Sequence, residues 1–398
     1  MNLNNRWLID FLFAALFILN CVNPSYSSNG NDSLLIADMY VQIEATQALN
    51  DMYNFKFREA KRQFFWLKQK YKEHPLPYFL MGMNEWWRIM PNRDVEKYDE
   101  QFFAYMDTSI MKAKKLYEFD SMKVEGAFFL AASYGFKARL FSERKRWLKA
   151  AGHANKALNY LDDCRDKKEL SPELLFGDGL YNYFSVWIPE NYPQLRPFLI
   201  MFDKGDKEQG LEQLREVAHN AFYTRTEAQY WLMSILFNDE NDIRGALHES
   251  EYLHKTYPDN AFFHRYYTTL LFHTGRLAKA KIVAEDMLMK IDSSYVGYEA
   301  TSGRYACFYL ARIWESNLDQ DKAFYYYQRT IEFAEEIKAL ESNYYLYSLI
   351  GLARIYDKRG EKEEAINCLK TVRKNSKRKN EANKRAREYL KSLKKDGD

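Results

Sequence analysis

Four stretches in the second half of this 398-residue chain repeat one spacing of large and small apolar residues, and that spacing leaves few folds open. The clearest runs Leu349-x-x-Leu352-Ala353-x-x-Tyr356, then Gly360, then Ala365-x-x-x-Leu369. Upstream, Cys307-x-x-Leu310-Ala311-x-x-Trp314 leads to Ala323-x-x-x-Tyr327, and His264-x-x-Tyr267-Thr268-x-x-Leu271 leads through Gly275 to Ala280-x-x-x-Ala284. Tyr230-x-x-Met233-Ser234-x-x-Phe237 leads to Ala246, Leu253 and Pro258. Steps of three and four place these residues on one face of an α-helix. The small residue lets a second helix approach, and the large ones fill the space beside it. Ala246 to Ala280 is 34 residues, whereas the steps to Ala323 and Ala365 are 43 and 42. That surplus of about two helical turns predicts longer helices in the later pairs.

The pattern predicts an all-α chain. With 16 Gly and 9 Pro, a turn-rich barrel or a collagen-like chain is excluded, and 47% apolar residues exclude wholesale disorder. One helix pair would suit an ordinary bundle; four aligned pairs point to an array. The spacing resembles the tetratricopeptide repeat, with Leu349 at its Trp place and Ala353 at its Gly place. The resemblance implies a solenoid of antiparallel helix pairs. The front half is looser. Ala60-x-x-x-Phe64-x-x-Leu67 reads as a second helix, Tyr78–Trp87 begins the next pair, and Ala127–Phe141 with Trp147–Leu161 forms another, carrying Ala154-x-x-x-Leu158-x-x-Leu161. Six or seven pairs are expected over 28–369.

Residues 171–205 interrupt the rhythm with Pro172, Pro189, Pro193 and Pro197, and read as an irregular insertion. Gly177, Gly179, Leu180 and Pro189, followed by Gly205, Asp206, Gly210, Leu211 and Leu214, resemble a family of tetratricopeptide proteins that includes a fungal mitochondrial outer-membrane protein. That resemblance implies a non-enzymatic helical-repeat protein; the export signal described next departs from it. The insertion has two readings. Either its apolar residues plug the solenoid, or Trp187, Ile188, Phe198, Leu199 and Phe202 form an exposed docking patch.

The first 27 residues read as an export signal. Arg6 precedes the unbroken apolar run Phe11–Leu19, too short to span a bilayer, and Ser25 and Ser27 place cleavage after Ser27. Ile18-Leu19-Asn20-Cys21 also resembles a bacterial lipoprotein box, which implies lipidation at Cys21, although Asn20 stands where that pattern has a small residue. The expected destination is the periplasm or the outer membrane. Net charge is +3, yet residues 370–398 hold 12 Lys and Arg against 4 Asp and Glu. This basic tail on a nearly neutral body does not describe a nucleic-acid binder. Its Ala382, Ala386, Tyr389, Leu390 and Leu393 form a helical stripe, expected to cap the last repeat; attraction to anionic lipid is the alternative.

No phosphate loop, nucleophile elbow, dinucleotide fingerprint or metal motif is present, so neither an enzyme nor a cofactor is expected. A solenoid instead offers a concave face lined by the first helix of each repeat. Carried onto this sequence, that face includes Trp231, Arg265, Phe272, Tyr305, Phe308, Arg312, Tyr347 and Arg354. The three arginines, flanked by aromatics, would suit carboxylates of an extended peptide, or would pair with neighbours such as Glu315. The expected role is a protein-binding scaffold. The alternative is glycan binding through exposed aromatics.

Overall fold

The structure, a computed structural model, describes residues 34–395 except 166, 168, 194–195 and 197–202. The leader, Cys21, Phe198 and Phe202 lie outside the described residues. Seventeen α-helices and no strand occur among the described residues. They are α1 (Met39–Tyr53), α2 (Phe57–Lys70), α3 (Leu76–Ile89), α4 (Asp99–Tyr117), α5 (Lys123–Glu143), α6 (Trp147–Leu161), α7 (Leu175–Asn191), α8 (Lys207–Asn220), α9 (Arg225–Asn238), α10 (Ile243–Thr256), α11 (Ala261–His273), α12 (Leu277–Asp292), α13 (Ala300–Ser316), α14 (Gln320–Glu336), α15 (Asn343–Lys358), α16 (Lys362–Lys374) and α17 (Glu381–Lys395). They build a tetratricopeptide-like solenoid of stacked antiparallel pairs, in two compact units that divide between Leu253 and His254.

In the first unit α1 packs on α2, α3 on α4, α5 on α6 and α7 on α8, and α9 follows on α8. In the second, α11 packs on α12, α13 on α14 and α15 on α16, and α17 closes the stack. The small residues that mark the repeats in the sequence, Ala60, Ala246, Ala280, Ala323 and Ala365, are fully buried. The later pairs are longer: α13 and α14 have 17 residues each, α9 and α10 only 14. The tail stripe is packed too. Ala382, Ala386, Leu390 and Leu393 lie in one core with Leu349, Ala353 and Leu369, and the Tyr389 hydroxyl donates to Asp357 at 2.8 Å.

One backbone device closes the turn inside five pairs. The third residue past the first helix donates its N–H to the carbonyl five positions back: Lys56 to Asp51, Arg146 to Phe141, Arg276 to Leu271, Asp319 to Trp314 and Glu361 to Tyr356, at 2.8–3.0 Å. The residue before each donor is left-handed, as in a Schellman motif. These are Phe55, Lys145, Gly275, Leu318 and Gly360. Only Gly275 and Gly360 announce the turn in the sequence.

Three segments differ from the sequence reading. The expected irregular insertion over 171–205 holds a regular helix, α7, over Leu175–Asn191, which pairs with α8; residues 194–195 and 197–202 of that stretch lie outside the described residues. Pro189 falls in the last turn of α7, where it costs a single backbone hydrogen bond. The glycines there serve contact: a Cβ on Gly210 would lie 2.5 Å from the Tyr183 nitrogen and 2.8 Å from the Gly179 oxygen, so the two backbones touch. Second, α4 has no counterpart in the sequence reading, although its buried Phe102, Met106, Ser109, Ile110 and Ala113 keep helical spacing. Third, of the stripe read in α6, Leu161 is buried, as is Ala150 one step before it, but Ala154 and Leu158 are only half-buried.

Candidate functional site

A cavity of about 750 Å³ lies within the first unit. Its wall comes from the first helix of five successive pairs. Leu49, Met52 and Tyr53 come from α1, Phe79, Leu80 and Met83 from α3, and Ala131, Gly135, Phe136 and Arg139 from α5. Phe176, Leu180 and Phe184 of α7, and Glu227 and Trp231 of α9, complete the inner face, and α6 adds Ala154, Ala157 and Leu158. On α5 the half-buried Ala131, Ala132, Gly135, Phe136 and Arg139 step by three and four, so one stripe of that helix faces the opening.

Tyr223, Thr224 and Glu227 of this wall lie together at the start of α9, while Glu143, Glu190, Arg196, Asp203 and Lys204 carry charge elsewhere along it. Glu173 fixes that start. Its buried carboxylate accepts from the Phe222, Tyr223 and Thr224 amides at 2.6, 2.9 and 2.9 Å and so supplies the helix cap. One turn on, Glu227 is 2% exposed and accepts from Trp87 Nε1 at 2.9 Å. Burial pushes its carboxyl up to about 7, against the opposing pull of the Arg139 charge and the Trp87 and Tyr53 donors. Its second oxygen, Oε2, is buried with no hydrogen-bond partner among the described residues, and the same holds for the Tyr223 hydroxyl. Both residues line the cavity. Arg139 donates to the Tyr230 hydroxyl at 2.9 Å and lies 4.6 Å over the Trp86 ring and 4.9 Å over Trp231. An aromatic cage thus holds a cation beside the cavity's acid.

The residues singled out by the sequence fall elsewhere for the most part. Trp231 and Ile188 do line the cavity. Trp187 and Ile188 are 6% and 5% exposed, so neither belongs to an exposed patch; Trp187 packs against Phe184 and Tyr192. In the second unit Arg265 is buried and donates to Ser302 Oγ at 3.0 Å, and Phe308 is buried against Tyr344. Arg354 grips Glu315 with Nε at 2.9 Å and Nη2 at 2.8 Å, a forked structural pair. Arg312 stands 3.9 Å from the same Glu315 with an exposed side chain, while Phe272, Tyr305 and Tyr347 are half-buried. The three arginines therefore do not form a continuous ladder open to a ligand. Sequence reasoning reached the inner face by carrying the repeat's inner-helix positions onto the chain and favoured the second half, where the repeat is clearest. The cavity is built from the front half, where the pattern is looser.

Among the described residues no group of three or more His, Cys, Asp or Glu could hold a metal ion, and no helix is long and apolar enough to cross a membrane. Cys164 and Cys307 are free and buried, and burial pushes both thiols up to about 12. No family model matches the chain, and no curated protein does. Among solved structures, the TPR domain of P58(IPK), a crystal structure at 2.5 Å, aligns over 89% of this chain and 98% of its own at 14% identity and a TM-score of 0.24. The fold assignment rests on the helix pairs themselves.

Proposed function

We propose that this chain is a non-enzymatic scaffold of the bacterial envelope that holds another protein through the inner face of its helix pairs, chiefly in the first unit. The observation that carries the reading is the cavity of about 750 Å³ whose wall is drawn from the first helix of five successive pairs. Open apolar surface of this kind is a binding surface in soluble repeat proteins. The placement in the envelope rests on Arg6, the Phe11–Leu19 run and Ser25–Ser27, with lipidation of Cys21 the alternative to simple cleavage. The resemblance around Gly177–Leu214 to non-enzymatic tetratricopeptide proteins supports the absence of chemistry. Arg312, Tyr305 and Tyr347 are the second unit's contribution, since they keep part of their surface open. The basic tail is a further route to an anionic membrane surface.

The test is affinity capture from native envelope extracts with the chain from Ser28 onward, beside Leu180→Asp in the cavity wall and Arg312→Glu in the second unit. A protein lost only with Leu180→Asp supports the reading. A protein lost only with Arg312→Glu moves the contact to the second unit, and capture of no protein refutes it.

Glycan binding is the second reading, favoured by Tyr40 and Trp66. They are 73% and 69% exposed on α1 and α2, at the end of the first pair where Lys70 bridges Glu44. Retention on immobilised glycans that Trp66→Ala abolishes would establish it.

A further inference from the structure

We infer that the C-terminal corner of the second unit is a docking surface for an anionic membrane, held by charge alone and without insertion. The inference rests on the reading of the basic tail as a route to a membrane and is independent of the inner face. Residues 370–391 hold ten Lys and Arg against two acids, Glu381 and Glu388. Six of the cations, Arg373, Lys374, Lys377, Arg378, Lys379 and Lys384, are exposed, and none has an acidic partner within 4.0 Å among the described residues. Glu381 is taken by Arg385 at 3.2 Å. The corner is a fixed one. Asn383, 4% exposed, donates back to the Arg373 and Ser376 carbonyls at 3.3 and 3.0 Å, and Arg387 donates to the Arg378 carbonyl at 3.1 Å. These bonds tie the end of α16, the turn that follows it and the first turns of α17 to one another.

The placement of these charges works against the fold. Cations at the end of α16 suit its negative pole, but Lys377, Arg378, Lys379 and Lys384 crowd the start of α17, the positive pole, where helix stability favours acids. Mutual repulsion adds to that cost. Solubility of an end helix, which either sign of charge provides, does not account for the arrangement. The apolar side of α17 excludes insertion. Ala382, Ala386, Leu390 and Leu393 are committed to the core, so the helix has no apolar face to turn toward acyl chains. Single-stranded nucleic acid would want exposed rings on which bases stack. Tyr389 is the one aromatic of residues 370–391, and it is half-buried with its hydroxyl on Asp357. What remains is a compact group of flexible cations, the pattern that answers phosphate headgroups spread over a surface.

The test is co-sedimentation of the chain from Ser28 onward, which lacks Cys21, with vesicles of phosphatidylcholine alone or with roughly one-third phosphatidylglycerol. Binding is expected only to the anionic vesicles in about 0.1 M salt, with full release in about 1 M, as the screening length falls from about 10 to about 3 Å. Lys377→Gln, Lys379→Gln and Lys384→Gln combined should weaken binding about a hundredfold, since each cation near such a surface contributes about fivefold. All three are exposed, and an unchanged urea midpoint verifies that the variant folds. The two vesicle types with the unaltered chain decide the matter even where it does not. Equal binding to both vesicles, no binding to either, binding that survives 1 M salt, or a folded variant that binds undiminished overturns the proposal. So does a preference for polyglutamate or single-stranded DNA over the anionic vesicles in direct competition. A protein captured equally by the variant and the unaltered chain leaves the scaffold reading standing whatever the vesicles show. Anionic vesicles bound with no protein captured refutes that reading alone.

Discussion

Gly351→Ala sets two effects of opposite sign against each other in one helix. Gly351 lies inside α15, where replacing glycine by alanine normally stabilises by about 1 kcal/mol. Here the added Cβ would fall 2.4, 2.5 and 2.9 Å from three atoms of the Tyr327 ring. Ordinary carbon contact needs about 3.5–4 Å, so the ring must retreat by about 1 Å. Tyr327 is fully buried in α14 and has no room to give. Overpacking of this kind costs about 1–3 kcal/mol. A further cost follows from where the ring ends. The Tyr327 hydroxyl donates to Glu315 at 2.7 Å, and Glu315 is the carboxylate that Arg354 grips. Loosening that bond adds about 1 kcal/mol. The net expectation is a loss of about 1–3 kcal/mol in the second unit. Gly152→Ala is the control, since it lies within α6 with nothing within 4 Å of its added Cβ. It should gain up to about 1 kcal/mol in the first unit. Urea unfolding followed by circular dichroism, with each unit's transition fitted separately, measures both. If Gly351→Ala stabilises as Gly152→Ala does, the close approach of ring and helix is wrong.

Leu318→Gly should stabilise the second unit by about 0.5–1 kcal/mol: Leu318 is 84% exposed with φ at +63°, and relief of about 1–2 kcal/mol of left-handed strain outweighs the added freedom of the unfolded chain. A loss of stability in the same denaturation assay would show that the turn is not strained. Acid should weaken the same unit, because His254 is held down to about 4 and His264 well below its ordinary 6.5, by burial first, then by Lys290 at His254 and by the neighbouring His254 at His264, with Asp286 opposing at His254 and the bond to the Val283 carbonyl opposing at His264. The unfolded histidines take up protons first, so this stability is complete above about pH 6.5 and drains as the pH falls toward 4; a flat urea midpoint across that window would refute it.

The fold was legible in the sequence because its signal is short-range and repeated. Small residues at helical spacing mark the places where pairs must touch, and Ala280, Ala323 and Ala365 are buried as that logic requires. Helix α4 went unread because its contact face uses Phe102, Met106 and Ser109 in place of an Ala-centred signature. Prolines suggested an insertion at 171–205, but Pro172 and Pro189 sit at helix ends, where they are tolerated. The site was legible only in part. Trp231 lines the cavity, and Glu315 was foreseen as a partner for the arginines. Glu227, Tyr223 and Arg139 were not, since their significance lies in who surrounds them. Nothing in the letters around Glu227 says that one of its oxygens goes unanswered.

The turn shared by five pairs bears on how such a chain can change length. Its hydrogen bonds run between backbone atoms alone, and Phe55, Lys145 and Leu318 occupy the same conformation as Gly275 and Gly360. The hinge between paired helices is therefore indifferent to the residue placed there, at a cost of about 1–2 kcal/mol where it is not glycine. A helix gaining a whole turn hands the same hinge to its partner, one pitch further along the axis. The array accommodates the 13-residue α11 and the 17-residue α13 side by side for that reason: its geometry is kept by the peptide units at each bend, while the side chains between bends are free to shape what the inner face encloses.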